Sequence, residues 1–374
     1  MTTTRILGFS IPTVIAFGVG LVVLIGIPLL TDTFTTFEFA TVGIFVIALM
    51  GLNVLTGYSG QISLGNGAFM AIGGYTTALM THHLGISYWL TIPIAALVAG
   101  LFGFLFGFPA LRLSGIYLAL ATFALALALP PIIDIDKLEF FFLGHSGVSL
   151  HPAHPPDFLA SSFSDDQWLY FVIWAIAGIM FVIAWNVVRS STGRAFMAVR
   201  DSETAATASG VNLSYYKTLA FGISAAFSGV AGSLLAIHVA YVNPDVFGLQ
   251  LSLFLLIGLV LGGVGFEFGP VLGALILVWL PQYAEKLGTL HIGSFQLPSK
   301  PDVFLGLMLL VIIYAAPSGA MGLIMRGIGW YRARRAAARG EAVPVVMTAG
   351  VLEEEPANVL EEEALGGEPS EISN

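Results

Sequence analysis

The polar side chains with the clearest capacity to bind a small solute lie in one glycine-rich segment, from Gly57 to Tyr75. This segment holds six glycines in 19 residues, and Gln61, Ser63 and Asn66 lie among them. Amide and hydroxyl groups donate and accept hydrogen bonds without carrying a charge. Together with Tyr75 and with Asn53, which lies just before the segment, these residues are the candidates for contact with a solute.

The glycines of this segment indicate an interrupted helix in an apolar environment. A broken helix persists at membrane depth only inside the protein or beside a cavity, because lipid cannot satisfy the free backbone groups. Such interruptions often mark substrate pathways. Two interpretations stay open and can coexist. One is direct contact with substrate, in a cavity that Asn53 could also face. The other is close helix packing through small residues, as in Gly65 and Phe69 with Gly73.

Catalytic and metal chemistry find little support in the sequence. The chain has no cysteine, which excludes disulfides and thiol catalysis, and it has no HExxH motif and no GxxxxGK[ST] phosphate loop. His145, His151 and His154 share one loop, but their spacing fits no strong ligand pattern and is more typical of a surface feature. We therefore predict no metal site, no cofactor and no enzymatic activity for this chain.

The composition indicates that much of the surface of the protein faces lipid and not water. Hydrophobic residues make up 57% of the 374 residues and charged residues only 10%, whereas a soluble domain has about 25% charged residues. This excludes a disordered chain, a nucleic-acid binder and an ordinary soluble enzyme. The net charge of −9 comes from the end of the chain, since residues 341–374 contain nine glutamates and no lysine or arginine. The fold class predicted is an all-α polytopic membrane protein.

Ten apolar segments approach the length of about 20 residues that a transmembrane helix needs, some of them short or discontinuous. They are 10–30, 39–56, 64–80, 90–109, 116–133, 168–188, 216–240, 249–264, 270–286 and 303–325. With the N-terminus inside, 11 of the 14 basic residues fall in inner segments and 3 in outer segments. This bias follows the positive-inside rule and predicts that both termini are cytoplasmic.

Two loops between the spans are too long for passive turns. The outer loop covers about 131–167, and the inner loop covers about 189–215 and is basic. In the inner loop, Asp201 or Ser202 suits a helix N-cap, Glu203 suits the first turn, and Gly210 suits the C-terminal stop. A helix of about two turns is marginal in water. It therefore packs either on its own bundle or in a groove of a cytoplasmic partner.

Ion coupling is disfavoured by the placement of charges. No acidic or basic residue lies mid-span in the first four predicted helices, and Glu267 and Glu285 lie at predicted helix ends. Proton- or sodium-coupled carriers commonly place a carboxylate or histidine near the midplane. The energy for transport then comes from elsewhere, or the protein is a passive pore.

Four blocks of the sequence resemble the permease subunits of ATP-binding-cassette importers for branched-chain amino acids, the M-type more than the H-type. The family patterns "GYxGQxSLGxxAFxxIGxYT" and "LRLxGxYxAxxT" match the first two blocks. The cytoplasmic pattern "GRAxxAxRxxExAA" opens the third, and a Gly-Gly-x-Gly and Gly-Pro-x-x-Gly-Ala pattern matches the fourth. The blocks are Gly57–Thr76, Leu111–Thr122, Gly193–Gly232 and Gly262–Ala274. The resemblance runs from about residue 40 to 325.

The resemblance implies that this chain works together with a separate ATPase subunit. In this family the cytoplasmic block contains the helix that couples the permease to its ATPase. The matching positions here are Arg194, Arg200, Asp201, Glu203, Ala205, Ala206 and Gly210. Thr207 stands where the family often has a second glutamate, which leaves Glu203 as the better candidate for charge-based docking. Asn66 stands where the family often has histidine.

The resemblance also implies partners and a location. The partners are a paralogous permease subunit, two cytoplasmic ATPase subunits, an extracytoplasmic solute-binding protein and membrane lipid, with no nucleic acid. The substrates are branched-chain or related amino acids, or urea or amides. The permease domain is residues 1–330, and 331–374 is a basic juxtamembrane stretch followed by a disordered acidic tail. The location is the bacterial inner membrane.

Two other function classes remain open from the residues alone. One is a stand-alone secondary transporter or channel for a small polar solute, which would work from a gradient without an ATPase. The other is a membrane scaffold or receptor subunit whose acidic tail recruits partners.

Truncation after Gly340 is expected to leave transport intact, because the acidic composition of residues 341–374 is typical of a solvated extension. Solute uptake by cells that carry the truncated chain, corrected for the amount in the membrane, is the measurement. Loss of uptake by well-inserted truncated protein would contradict the prediction and favour the scaffold interpretation.

Overall fold

The computed structural model of the chain describes 24–110, 113, 115–133, 147–150, 154–156, 163–288 and 318–337, together with short pieces at 5–6, 9–10, 291–292, 295–296, 306, 310 and 314. Most of the first predicted span, much of the outer loop with His145 and His151, most of the last predicted span and the acidic tail lie outside these residues. The chain divides into two units, Met1–Leu323 and Ile324–Asn374.

The described residues are mainly helical. Besides a helical stretch at 24–30, the helices are α1 (Thr33–Leu52), α2 (Asn66–Leu84), α3 (Tyr88–Ala110), α4 (Ile116–Ile133), α5 (Asp165–Arg189), α6 (Ser191–Asp201), α7 (Glu203–Ala208), α8 (Leu213–Val239), α9 (Leu249–Gly262), α10 (Gly269–Gly288) and α11 (Gly319–Ala337). A π-helical segment, Asn53–Tyr58, continues α1, and a 3₁₀ turn, Pro244–Phe247, precedes α9.

The strands are two residues long and form three antiparallel pairs. They are β1 (Arg5–Ile6) with β2 (Phe9–Ser10), β3 (Val148–Ser149) with β4 (Tyr241–Val242), and β5 (His291–Ile292) with β6 (Phe295–Gln296). The β3–β4 pair joins the end of the predicted outer loop to the chain that follows α8.

Within the described residues, six helical stretches are long and apolar enough to cross a membrane. They are Thr33–Tyr58, Tyr88–Pro109, Ile116–Ile133, Asp165–Arg189, Leu213–Val239 and Pro244–Gly262, and a shorter apolar helix covers Gly269–Tyr283. The prediction of an all-α polytopic membrane protein is confirmed. The number ten stays a prediction, because most of the first and last predicted spans lie outside the described residues.

Helix α8 lies at the centre of the bundle and packs against α1, α2 and α3. Its contacts rely on small residues that let two backbones approach closely. Gly73 of α2 faces Gly229 of α8, and a Cβ on Gly73 would overlap the Gly229 carbonyl oxygen. On the α3 side, a Cβ on Gly229 would lie 2.7 Å from the carbonyl oxygen of Ala95. The packing interpretation of the glycine-rich segment is therefore confirmed at Gly73.

The spans differ in how much of their apolar surface the chain itself covers. The most apolar parts of Thr33–Tyr58 and Leu213–Val239 are each 83% buried, whereas that of Asp165–Arg189 is 17% buried. An apolar helix that the protein does not cover needs lipid or another protein as its neighbour. The outer helices α3, α4 and α5 therefore present their apolar faces to such neighbours.

Gly73→Ala is expected to destabilise the bundle by about 1–3 kcal/mol, because the added methyl group overlaps the backbone of α8. Gly178→Ala is the matched control, since Gly178 lies inside α5 and a Cβ added there would have no atom within 4 Å. Replacing this glycine removes a weak helix former and is expected to be neutral or stabilising by up to about 1 kcal/mol. The apparent Tm of detergent-solubilised protein measures both, and equal midpoints would contradict the assignment.

Candidate functional site

The chain is irregular between the π-helical segment and α2, at residues 59–65. Ser59, Gln61 and Ser63 point inward and are 2%, 6% and 1% exposed. We refer to residues 59–65 as the broken segment. The predicted helix interruption is therefore present, and its polar side chains are buried inside the chain.

Neighbouring groups supply the hydrogen bonds that the broken segment lacks. The backbone N–H of Gln61 donates to the Leu55 carbonyl at 3.1 Å, and the Gln61 carbonyl accepts from Thr56 Oγ1 at 3.1 Å. The N–H of Leu64 donates to Thr122 Oγ1 of α4 at 2.9 Å. These contacts explain how an irregular backbone is tolerated within an apolar bundle.

The contacts with α8 show how far the broken segment reaches into the bundle. Gln61 Nε2 lies 3.4 Å from the carbonyl oxygen of Lys217, in the second turn of α8. Asn66, the first residue of α2, donates to Ser228 Oγ at 3.2 Å and to Ser224 Oγ at 3.5 Å, near the middle of the same helix. The broken segment therefore runs from one end of the bundle toward its middle, where α2 begins.

A second helix also begins beside this point. The N–H of Gly67 donates to Ser252 Oγ of α9 at 2.9 Å. A Cβ on Gly67 would lie 2.9 Å from the carbonyl oxygen of Gly248, the N-cap of α9. The N-termini of α2 and α9 are therefore neighbours, which the sequence pattern did not predict.

The remaining two pathway candidates lie elsewhere. Tyr75 is buried in α2, and nine residues of helix place it about 13 Å further along the axis than Asn66. Asn53 lies at the start of the π-helical segment and lines a small open cleft between that segment, α5 and the start of α10. Gln61, Ser63, Asn66 and Tyr75 do not line this cleft.

Asn53 fastens the π-helical segment to the turn between α9 and α10. Its Oδ1 accepts from the N–H of Gly265 at 2.8 Å, and its Nδ2 donates to the carbonyl oxygen of Phe266 at 2.9 Å. Gly57 makes this approach possible, since a Cβ there would collide with Asn53 Oδ1 and lie 2.7 Å from the Gly265 nitrogen. Asn53 thus uses both ends of its amide group within the chain.

The inner loop forms two helices where one was predicted. Ser190 Oγ accepts from the N–H groups of Thr192 and Gly193 and caps α6. Ser202 Oγ accepts from the Ala205 N–H and caps the predicted short helix, α7, with Glu203 in its first turn. These capping contacts confirm the prediction for Ser202, and α6 was not predicted.

The end of α7 also follows the predicted pattern. Gly210 has φ +84°, the left-handed conformation that glycine adopts readily. The N–H of Val211 then donates to the Ala206 carbonyl at 3.0 Å, which closes the last turn. Within α7, Ala206 is buried and Glu203, Thr204, Ala205, Thr207 and Ala208 are exposed. Ala206 is therefore the buried residue of α7, and most of the surface of this helix is open to a neighbour.

Arg200, near the end of α6, contacts the end of the π-helical segment, just before the broken segment. Its Nη1 donates to the Gly57 carbonyl at 3.0 Å, and its Nη2 lies 3.0 Å from Asp201 Oδ1. The arginine packs over Gly60, where φ is +72° and an added Cβ would lie 2.7 Å from Arg200 Cγ. The structure thus joins a predicted coupling residue to the predicted solute-binding segment.

Glu203 makes a second connection to the same region. Its carboxylate accepts from Lys217 Nζ at 2.6 Å, and the lysine side chain is 9% exposed while that of Glu203 is 49% exposed. Lys217 is also the residue whose carbonyl faces Gln61 Nε2. Lys217 therefore contacts Glu203 through its side chain and Gln61 through its backbone, and it connects the surface of the inner loop to the broken segment.

Arg189 adds a third connection at the same end of the bundle. Its guanidinium lies 3.3 Å from Glu267 Oε1 and 3.6 Å from the centre of the Trp185 ring. By contrast, the contact of Arg194 is long, 3.5 Å from its Nη1 to the Arg189 carbonyl.

The sequence analysis did not predict the contacts of Lys217, Ser224, Ser228 and Ser252. The i, i+4 spacing of Ser224 and Ser228 on α8 was the one feature of the sequence that indicated a polar face on this helix.

Within the described residues, no group of three or more histidines, aspartates, glutamates or cysteines could hold a metal ion. His154 pairs with Asp165 at 3.1 Å on the surface. The polar groups of the region hold helices together and can bind a solute by hydrogen bonds.

These features define a class of protein. Several apolar spans surround a buried interruption, and polar groups within it and at the start of α2 face a central helix. This is the architecture of a helical membrane transporter.

Comparisons with known proteins identify the family. A family described as "Branched-chain amino acid transport system / permease component" matches residues 35–316. The chain belongs to this family. No solved structure matches the chain.

Individual relatives match shorter stretches. The permease protein LivM of the high-affinity branched-chain amino acid transport system of Escherichia coli (strain K12) is 36% identical over 258 residues, which cover 63% of this chain and 60% of LivM. The permease protein BraD of Pseudomonas aeruginosa is 31% identical over 156 residues, 42% of this chain and 47% of BraD. The ribose import permease protein RbsC of Haemophilus influenzae is 30% identical over 141 residues, 36% of this chain and 42% of RbsC.

Asn53→Leu is expected to lower the stability of the protein by about 1–3 kcal/mol, because Gly265 loses the acceptor of its N–H. Asn186→Leu is the matched control, since Asn186 is exposed on α5. The apparent Tm in detergent reports the effect. A control as unstable as the Asn53 variant would mean that the fastening contacts contribute nothing measurable.

Proposed function

We propose that this chain is the transmembrane permease subunit of an ATP-binding-cassette importer. The importer takes up branched-chain or related amino acids, with urea and amides as further candidates. An extracytoplasmic solute-binding protein delivers the substrate, and a paralogous permease subunit completes the pathway. Two cytoplasmic ATPase subunits supply the energy. Membership in the permease family and the resemblance to LivM support this proposal.

The observation that carries the mechanism is the set of contacts between the inner loop and the broken segment. Arg200 holds the Gly57 carbonyl, and Glu203 is linked through Lys217 to Gln61. A movement of α6 or α7 can therefore reach the broken segment and the residues just before it through these three polar contacts. Because packed elements shift between discrete arrangements, such contacts can convert movement of the loop into movement within the bundle.

The coupling step follows from the exposure of α7. Its side chains, apart from Ala206, are exposed, and a helix this short is marginal unless it is packed. We assign its exposed face to a groove on the ATPase subunit. The coupling residues of this proposal are Arg194, Arg200, Asp201, Glu203, Ala205, Ala206 and Gly210, of which Arg200 and Ala206 act by positioning α6 and α7.

The transport step is alternating access. ATP binding closes the pair of ATPase subunits and moves the inner loop, and the bundle then changes between outward-open and inward-open states. Hydrolysis takes place on the ATPase subunits, and this chain contributes the pathway. Gln61, Ser63 and Asn66 are the proposed substrate contacts. Asn53 and Tyr75 stay pathway candidates, although both are buried within the chain.

The proposed location is the bacterial inner membrane, with both termini in the cytoplasm. The distribution of basic residues supports this orientation. It places the inner loop, with Arg189, Arg194 and Arg200, on the side where ATP is available. The domain limits proposed are 1–330 for the permease domain and 331–374 for the juxtamembrane stretch and tail.

Affinity purification of the chain from native membranes in mild detergent tests the proposed assembly. A second permease chain and one or two ATPase chains are expected to co-elute. A chain that runs alone or with itself, while a known importer purified in parallel stays intact, would overturn the proposal and favour a stand-alone secondary transporter or channel.

Glu203→Lys is expected to abolish uptake without abolishing membrane insertion, because it reverses the exposed charge on α7 beside the ATPase. The double variant Glu203→Lys with Lys217→Glu restores an ion pair inside the chain but leaves the exposed charge reversed. It is therefore expected to remain inactive. Uptake of radiolabelled amino acid, corrected for protein in the membrane, is the measurement.

Two outcomes would count against the coupling role of Glu203. Wild-type uptake by Glu203→Lys would exclude the role altogether. Recovery of uptake in the double variant would show that Glu203 acts through Lys217 and not by docking.

A further inference from the structure

The neighbouring N-termini of α2 and α9 form a junction that the proposed function does not by itself explain. Two helices of 19 and 14 residues begin beside each other, and Gly67 of one is hydrogen-bonded to Ser252 of the other. Each N-terminus carries a partial positive charge from its free N–H groups. Two such ends side by side repel each other and together favour an anion between them.

The capping residues leave these ends open to a ligand. The N-caps are Gly65 and Gly248, and neither helix has a side-chain cap. A glycine at the cap contributes no oxygen to the free N–H groups and lets another group approach the backbone closely. The described part of the chain therefore places two helix ends with glycine N-caps together near the middle of α8, and Ser252 Oγ accepts from one of their N–H groups, that of Gly67.

Asn66 provides an independent sign of a missing partner. The residue is 1% exposed, and its Oδ1 has no hydrogen-bond partner within the described residues. Its Nδ2 donates to Ser228 Oγ and Ser224 Oγ. Because helical side chains lean toward the N-terminus, Oδ1 lies at the N-terminal end of α2.

A buried acceptor without a donor is costly, on the order of 1–3 kcal/mol. A ligand that brings a donor to Asn66 Oδ1 and an anionic group to the helix ends would satisfy both features at once. A free α-amino acid carries an ammonium and a carboxylate on the same carbon atom. A sugar, an amide or urea does not offer this pair of opposite charges.

We propose that this junction is a binding site for the zwitterionic head of an α-amino acid. The carboxylate lies against the N-termini of α2 and α9, and the ammonium donates to Asn66 Oδ1. This inference rests on the proposed function and selects amino acids from among its candidate substrates. Ser252, like Asn66, is 1% exposed, so this conformation holds the site closed and the transport cycle opens it.

The first test uses the whole importer in proteoliposomes with its binding protein, and it measures leucine uptake and leucine-stimulated ATP hydrolysis. Asn66→Leu keeps the size of the side chain and removes the acceptor. It is expected to lower uptake by at least about tenfold, with ATP hydrolysis within about twofold of the wild type. Asn186→Leu is the matched control, because it makes the same substitution at an exposed position of α5 outside the junction, and it is expected to retain uptake.

The outcomes of this test separate the two proposals. Absence of ATP-dependent amino-acid uptake by the wild-type importer would contradict the proposed function itself. Normal wild-type uptake with unchanged uptake by Asn66→Leu would overturn the site alone. Loss of both uptake and ATP hydrolysis in Asn66→Leu would assign Asn66 a role in assembly and would also overturn the site.

A second test uses the absence of cysteine from the chain, since a single introduced thiol is then its only one. Ser252→Cys in the assembled importer is treated with a maleimide in each nucleotide state. Leucine is expected to slow labelling, whereas leucinamide, which lacks the carboxylate, and 4-methylpentanoate, which lacks the ammonium, do not. Equal protection by all three compounds, or a thiol that never reacts, would overturn the proposal, because a substrate site must open to water during the cycle.

Discussion

In an apolar environment every backbone N–H and C=O group must find its partner within the protein, and residues 59–65 meet this constraint without a helix. The surrounding structure is built to supply those partners. Thr122 reaches across from α4, Thr56 reaches forward from the π-helical segment, and the Leu55 carbonyl accepts from Gln61. The broken segment can therefore place amide and hydroxyl groups in the middle of the bundle, where a continuous helix would present only its sides.

Helix α8 can occupy the centre of the bundle because small residues on its surface let the neighbouring helices approach closely. Glycine and serine on its surface let α2 and α3 approach closely enough for their backbones to touch, as Gly73 and Gly229 do. The close approach brings Ser224 and Ser228 to Asn66 and the carbonyl of Lys217 to Gln61. One set of small residues therefore allows the close packing of the helices and brings the buried polar side chains to their hydrogen-bond partners.

The end of the bundle beside α6 and α7 joins three parts of the chain that are far apart in sequence. Asn53 fastens the turn at Gly265, Arg200 holds the Gly57 carbonyl, and the Glu203–Lys217 pair holds α7 to α8. These contacts link the exposed loop, the broken segment and the α9–α10 turn. Each of these elements is tied to the next by polar contacts of about 3 Å.

The sequence by itself determined the class of the protein, the position of the helix interruption and the ends of one short helix. Its composition required a membrane as solvent, its glycines indicated the interruption, and Ser202, Glu203 and Gly210 marked the ends of a short helix before any tertiary contact was known. Caps, turns and hydropathy act within a few residues, so they can be read along the chain. Only the tertiary structure decided that Arg200 meets Gly57, that Lys217 meets Glu203 and that α9 begins beside α2. Those contacts join residues up to 185 positions apart, and they depend on how helices pack, which no local pattern specifies.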